Sequence, residues 1–155
     1  MRYVDTKVVF REVPGEVSLA VNISGCPVGC KGCHSKYLAG DIGEILDSKA
    51  LEALLERNSG VSCISMMGGD ADPSYLASLL REIRLKHPGL KTCWYSGRGL
   101  EQASEVLPYL DFIKVGPYME EFGPLDSPTT NQRFYAVGPD GSLEDWTAKF
   151  IKKVF

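Results

Sequence analysis

Val17-Ser18-Leu19-Ala20-Val21-Asn22-Ile23-Ser24 runs directly into Gly25-Cys26-Pro27-Val28-Gly29-Cys30-Lys31-Gly32-Cys33-His34. The first half alternates and is rich in β-branched residues, so it reads as a strand. The second half holds three cysteines in the pattern C-x3-C-x2-C, separated by glycines and a proline. Such a backbone curls tightly and aims three sulfurs at one point. A curl of this kind serves a metal or an iron–sulfur cluster. The strand therefore delivers a metal loop at its C-terminal end, and the remaining question is what surrounds it.

Outward from this stretch, strand and helix patterns alternate. Lys7-Val8-Val9-Phe10 is a short β-type run closed by Pro14-Gly15. Leu46 to Arg57 carries a helical stripe (Leu46, Ala50, Leu51, Leu54, Leu55), with Asp47 or Ser48 as cap and Asn58-Ser59-Gly60 as stop. Val61 to Met67 is a near-continuous apolar run, as in a strand buried on both faces. Pro73 to His87 predicts a second helix, Leu90 to Tyr95 a third strand and Leu100 to Leu107 a short helix. Asp111 to Val115 predicts a fourth strand, and Tyr118 to Asn131 is irregular. Arg133 to Val137 predicts a last strand, and Leu143 to Phe150 a closing helix. The alternation predicts an α/β fold with a mostly parallel sheet in one domain over residues 1–155. About five strands plus the N-terminal run are too few for a closed eight-fold barrel and enough for a partial, open one.

The cysteine loop, Gly68-Gly69-Asp70, Ser96-Gly97 and Gly116-Pro117 each follow a predicted strand. In parallel α/β folds that edge is where ligands bind, so these four features are expected along one rim.

Composition narrows the classes. A net charge of −3 gives no support for nucleic-acid binding. No apolar run approaches the roughly 20 residues that cross a bilayer. The N-terminus lacks the layout of a signal peptide, so a cytoplasmic protein is expected. Five cysteines, three of them in one loop, do not resemble a secreted disulfide framework. Cys63 and Cys93 lie in apolar runs and read as buried small hydrophobes.

Zinc needs a fourth ligand beyond Cys26, Cys30 and Cys33, and no second C-x2-C or H-x3-H is present. A redox pair at Cys30 and Cys33 leaves Cys26 unused. A [4Fe–4S] cluster on three thiolates leaves one iron open, as catalytic metal sites do.

At this point the chain resembles the radical S-adenosylmethionine (SAM) superfamily, whose signature is C-x3-C-x2-C after the first barrel strand. Gly68-Gly69-Asp70 is similar to that superfamily's G-G-[ED] motif. With Cys30-Lys31-Gly32-Cys33, Trp94-Tyr95-Ser96-Gly97 and Thr130-Asn131-Gln132-Arg133, the sequence resembles the activating proteins of anaerobic (class III) ribonucleoside-triphosphate reductases. The resemblance implies a partial, open (β/α) barrel and a [4Fe–4S] cluster on Cys26, Cys30 and Cys33. It implies SAM bound at the open iron, with Gly68, Gly69, Asp70 and Ser96 around it and Asp70 facing the SAM ammonium. An electron from a donor such as flavodoxin splits the S–C5′ bond, and the 5′-deoxyadenosyl radical takes a hydrogen from a glycine of the reductase. Asn131, Gln132 and Arg133 close the site or face the reductase, and Lys31 and Lys36 meet the electron donor. His34 either tunes the cluster or faces solvent. Val115-Gly116-Pro117 lacks the aspartate usual at that strand's end. The competing readings are a radical SAM enzyme for a small molecule (7-carboxy-7-deazaguanine synthase-like), an activase of another glycyl radical enzyme, and a non-catalytic zinc-binding module.

Overall fold

The computed structural model describes residues 1–30 and 36–151. They build one eight-stranded sheet in the order β3-β1-β2-β4-β5-β6-β7-β8. The strands are β1 (Arg2–Val9), β2 (Ser18–Ile23), β3 (Glu44–Ile45), β4 (Cys63–Met67), β5 (Lys91–Tyr95), β6 (Phe112–Val115), β7 (Arg133–Val137) and β8 (Leu143–Asp145). The centre, β2-β4-β5-β6, is parallel. Both margins are antiparallel. The sheet is therefore mixed, with its parallel part confined to the middle.

Connection length explains the margins. A parallel neighbour needs a crossover of a dozen or more residues. Residues 10–17 return β1 to β2 through Pro14-Gly15 without one. After β6 the irregular stretch 116–132 stays at the strand's own end. A Cβ on Gly116 would lie 3.3 Å from Gln132 Cα, so β7 starts where β6 stops and runs back beside it. β3, two exposed residues, carries no pattern that sequence reading would have found.

Two α-helices, α1 (Ser48–Arg57) and α2 (Pro73–Lys86), lie where the periodicity predicts them. Asp47 caps α1 by accepting from the Ala50 N–H at 2.8 Å, and Asp72 caps α2 from the Tyr75 N–H at 3.1 Å. Two other predicted helices do not form. Over Leu100 to Leu107 the chain makes two 3₁₀ turns, Leu100–Gln102 and Leu107–Tyr109. The buried residues there, Ala103 and Val106, are three apart, which suits the 3₁₀ period better than the α period. Over Leu143 to Phe150 the chain forms β8 and a 3₁₀ turn, Thr147–Phe150. Thr147 Oγ1 accepts the Phe134 N–H at 2.9 Å and Asp145 accepts the Thr147 N–H at 2.8 Å, fixing a bend between the two pieces. Trp146 and Phe150, four apart and readable as a helical stripe, instead stack on Phe112 and Phe134.

Strand alternation gives the sheet two unlike faces. Leu19, Val21, Ile23, Ile64, Met66, Trp94, Ile113 and Val115 pack under α1 and α2 in the larger core. The opposite face has no α-helix among the described residues. Its smaller core joins Cys63, Cys93, Phe112 and Phe134, with Val13 from the β1–β2 loop pressed onto them. Tyr95 ties that loop down by donating from its hydroxyl to the Glu12 carbonyl at 2.5 Å. This filling leaves a cleft of about 900 Å³ lined by Phe10, Pro14, Met67, Tyr95, Leu125 and Phe150 among others. No helix among the described residues is long and apolar enough to cross a membrane.

Trp94 is fully buried and donates from Nε1 to the Gly68 carbonyl at 2.7 Å, joining the core to the turn after β4. Trp94→Phe leaves that carbonyl unpaired and a small cavity beside it. Urea unfolding of the cluster-free protein is expected to show a loss of about 1–3 kcal/mol. An unchanged midpoint would mean that the bond contributes nothing to the fold.

Candidate metal centre

The parallel strands β2, β4, β5 and β6 end on one edge, and the residues of interest follow those ends. After β2, Ser24 donates from Oγ to the Ile42 carbonyl at 2.6 Å. The Gly25 and Cys26 amides donate to the Gly40 and Leu38 carbonyls at 3.0 and 2.9 Å. The outgoing limb of the cysteine loop is thus laced to its return. Cys26 and Cys30 are half-buried free thiols. Lys31, Cys33 and His34 lie outside the described residues, so the expected third ligand and the two side chains beside it are not placed. Lys36 opens a 3₁₀ turn, Lys36–Ala39, on the return.

After β4, Gly68 and Gly69 have φ of +107° and +96°, a region that side-chain-bearing residues rarely adopt. A Cβ on Gly68 would also stand 3.1 Å from the Ile23 carbonyl oxygen, so the turn lies against the end of β2. Asp70 follows and is 3% exposed. Its Oδ1 accepts from Ser96 Oγ at 2.5 Å and its Oδ2 from the Gly97 N–H at 3.1 Å. Ser96 is itself fully buried, and its Oγ accepts the Arg98 N–H at 3.0 Å. Asp70 and Ser96, expected separately around a ligand, are thus bonded to each other across the β4 and β5 ends.

After β5 the loop and the rim touch. A Cβ placed on Gly97 would lie 2.9 Å from Val28 Cγ2, so Val28, between Cys26 and Cys30, rests on the bare Gly97 backbone. Sequence reading missed Val28. The available signal was a lone aliphatic residue in a stretch otherwise made of Gly, Pro, Cys and Lys.

At the fourth strand end, Lys114 is 8% exposed and donates from Nζ to the Gly116 carbonyl at 3.1 Å. Its Nζ stands 5.7 Å from the centre of the Tyr95 ring. Asn131 donates from Nδ2 to the Pro117 carbonyl at 3.0 Å. Gln132 is buried against Gly116, while Arg133 is exposed. Asn131 and Gln132 therefore belong to the same rim.

The thiols divide sharply. Cys63 and Cys93 are fully buried in β4 and β5. Burial pushes the Cys63 thiol up to about 12 and raises Cys93 well above its ordinary value. Both are protonated near neutral pH in the metal-free protein and sealed inside the sheet. His87 is bound to Glu52 at 2.9 Å beyond the C-terminus of α2. Among the described cysteines only Cys26 and Cys30, in the loop, are accessible. Soft thiolates suit iron–sulfur clusters and zinc.

A family model, the 4Fe-4S single cluster domain, matches residues 13–133, well over half of the chain. The chain belongs to that family. Neither a curated protein nor a solved structure matches it. The site fits a 4Fe-4S single cluster domain. Cys26 and Cys30 are half-buried free thiols beyond a strand end, with the Gly25 and Cys26 amides paired to the return limb, while the other two described cysteines are sealed in the sheet. Among the described residues no three His, Cys, Asp or Glu side chains converge.

Alkylation tests the division. Native, cluster-free protein treated with iodoacetamide at pH 8 is expected to be modified at Cys26 and Cys30 and spared at Cys63 and Cys93. At that pH only roughly one Cys63 in ten thousand is a thiolate. Peptide mass spectrometry showing Cys63 or Cys93 modified at a similar rate would contradict it.

Proposed function

We propose that this 4Fe-4S single cluster domain is a radical SAM enzyme that installs a glycyl radical on an anaerobic ribonucleoside-triphosphate reductase. The observation that carries the reading is a physical contact: the cysteine loop rests on Gly97, and Gly97 is bonded to Asp70 of the Gly68-Gly69-Asp70 turn. The two motifs that resemble the superfamily are thus parts of one rim. A plain metal-binding module has no need of the second.

In this reading Cys26, Cys30 and Cys33 hold the cluster, which when bound supplies the electron for reductive cleavage of SAM. The Gly68-Gly69 turn, lacking side chains, lets the methionine end of SAM approach closely. Asp70 is a charge-assisted acceptor at that edge, and Ser96 orients it. The bond broken is S–C5′. The electron comes from a reduced donor such as flavodoxin, and the hydrogen that completes 5′-deoxyadenosine comes from the partner's glycine. The sheet then acts as the open (β/α) barrel of such enzymes, in a single cytoplasmic domain. The face that carries no α-helix among the described residues supports a protein substrate over a small molecule, because the cleft there at Met67 and Tyr95 is open and mostly apolar.

Anaerobic reconstitution, reduction and addition of SAM are expected to yield 5′-deoxyadenosine, and Cys30→Ala to abolish both cluster and product. A glycyl radical signal in electron paramagnetic resonance (EPR) is expected only when the reductase is added. Tight zinc with no SAM cleavage would sink the reading. Cleavage without a reductase radical would move it to another substrate.

A further inference from the structure

Among the described residues of the cysteine loop, Val28 reaches across to the turn after β5. Its contact is tight from every side: a Cβ on Gly97 would stand 2.9 Å from Cγ2, 3.2 Å from Cγ1 and 3.3 Å from Cβ of Val28. Valine is stiff at χ1, so it cannot swing clear, and anything larger than glycine at position 97 must move the loop backbone. Gly97 in turn does not float. Its N–H is held by Asp70 Oδ2, and Ser96 beside it is held by Asp70 Oδ1 and by the Ser96 N–H bond to the Lys114 carbonyl at 2.8 Å.

We propose that Val28 is a positioning residue that seats the cysteine loop on Gly97, and that Asp70 fixes the height of that seat by clamping the Ser96-Gly97 turn. The loop has two kinds of anchor. The amides of Gly25 and Cys26 tie its start to the return limb at Gly40 and Leu38. Those bonds fix the start of the loop relative to its own return limb, on the β1 side of β2. The Val28 contact is what registers Cys26 and Cys30 against the end of β5, two strands from β2 in the sheet, and through Asp70 against β4 between them. Asp70 thus acts on the metal loop through Gly97 and Val28, whatever else it binds. This inference rests on the family's 4Fe-4S chemistry and on no step of SAM cleavage.

The test uses Gly97→Ala, Val28→Ala and the double variant. In cluster-free protein, amide hydrogen exchange of the peptide spanning residues 24–30 reads the seat directly. Overpacking at a contact of this kind destabilises the seated loop, so Gly97→Ala is expected to speed exchange of that peptide about tenfold. Val28→Ala, which loses the contact without a clash, is expected to speed it about threefold, and the double variant to fall back to the Val28→Ala rate, since touching residues couple. In reconstituted protein the same order is expected in the displacement of the EPR g-values of the reduced cluster. Wild-type exchange in Gly97→Ala, or a double variant as fast as Gly97→Ala, overturns the proposal. If Gly97→Ala does not fold, Val28→Ala decides it: unchanged exchange and unchanged g-values overturn the seat. The exchange result holds whether or not SAM is cleaved, so failure of the enzymatic reading leaves it intact.

Discussion

The rim depends on one buried carboxylate. Asp70 is withdrawn from water at the end of β4, and a carboxylate in that position needs donors. It finds them in the Ser96 hydroxyl and the Gly97 amide, both on the neighbouring strand's turn. The turns after β4 and β5 are therefore a single object. Gly68 reinforces the join from the other side, giving its N–H to the Tyr95 carbonyl and taking Nε1 of Trp94 on its own carbonyl. Two strand ends that packing alone would leave loosely parallel are stitched at four points, and the metal loop rests on the result.

The unlike faces of the sheet decide where that rim opens. α1 and α2 fill one face with leucine and isoleucine, and Leu76 of α2 packs up to Gly69 at the rim, so that face is closed. On the other face the filling is makeshift: Val13 from a loop, Phe134 from β7, Trp146 and Phe150 from the C-terminal turn. These pieces cover the Cys63 and Cys93 level of the strands. They leave Met67 and Tyr95, four residues beyond Cys63 and two beyond Cys93, half-buried along the cleft. The antiparallel margins matter here, because a helical crossover after β6 would have placed a helix elsewhere and left no return strand to carry Phe134 inward.

The strand ends were legible because each parallel strand is an apolar run stopped by glycine, a signal that needs no knowledge of neighbours. The two α-helices were legible for the same reason: Asp47 and Asp72 cap them from within three residues. What failed depended on distant partners. The spacing of Trp146 and Phe150 fits a helix until Phe112 and Phe134, on other strands, claim both rings. β3 is a strand only because β1 lies beside it. The direction of β7 was set by Gly116 packing on Gln132, and no local pattern encodes that. At the site, the residue types Asp70 and Ser96 were readable while their mutual bond was not, since twenty-six positions separate them. Val28 escaped because its partner is a glycine, which leaves no pattern of its own.

The loop also faces a conflict between two requirements. Three sulfurs can converge only if the chain between them bends sharply, which is why glycine and proline fill it. Glycine-rich chain is costly to order, at roughly 1–2 kcal/mol of backbone entropy for each residue fixed. If cluster binding had to supply all of that ordering, affinity would fall accordingly. Two backbone bonds at Gly25 and Cys26 and one side-chain contact at Val28 order the approach and the crest of the loop in advance. Each anchor uses a surface that has no side chain to spare: a carbonyl of the return limb, or the bare face of Gly97. Cys26 and Cys30 keep free thiols while the backbone beside them is held.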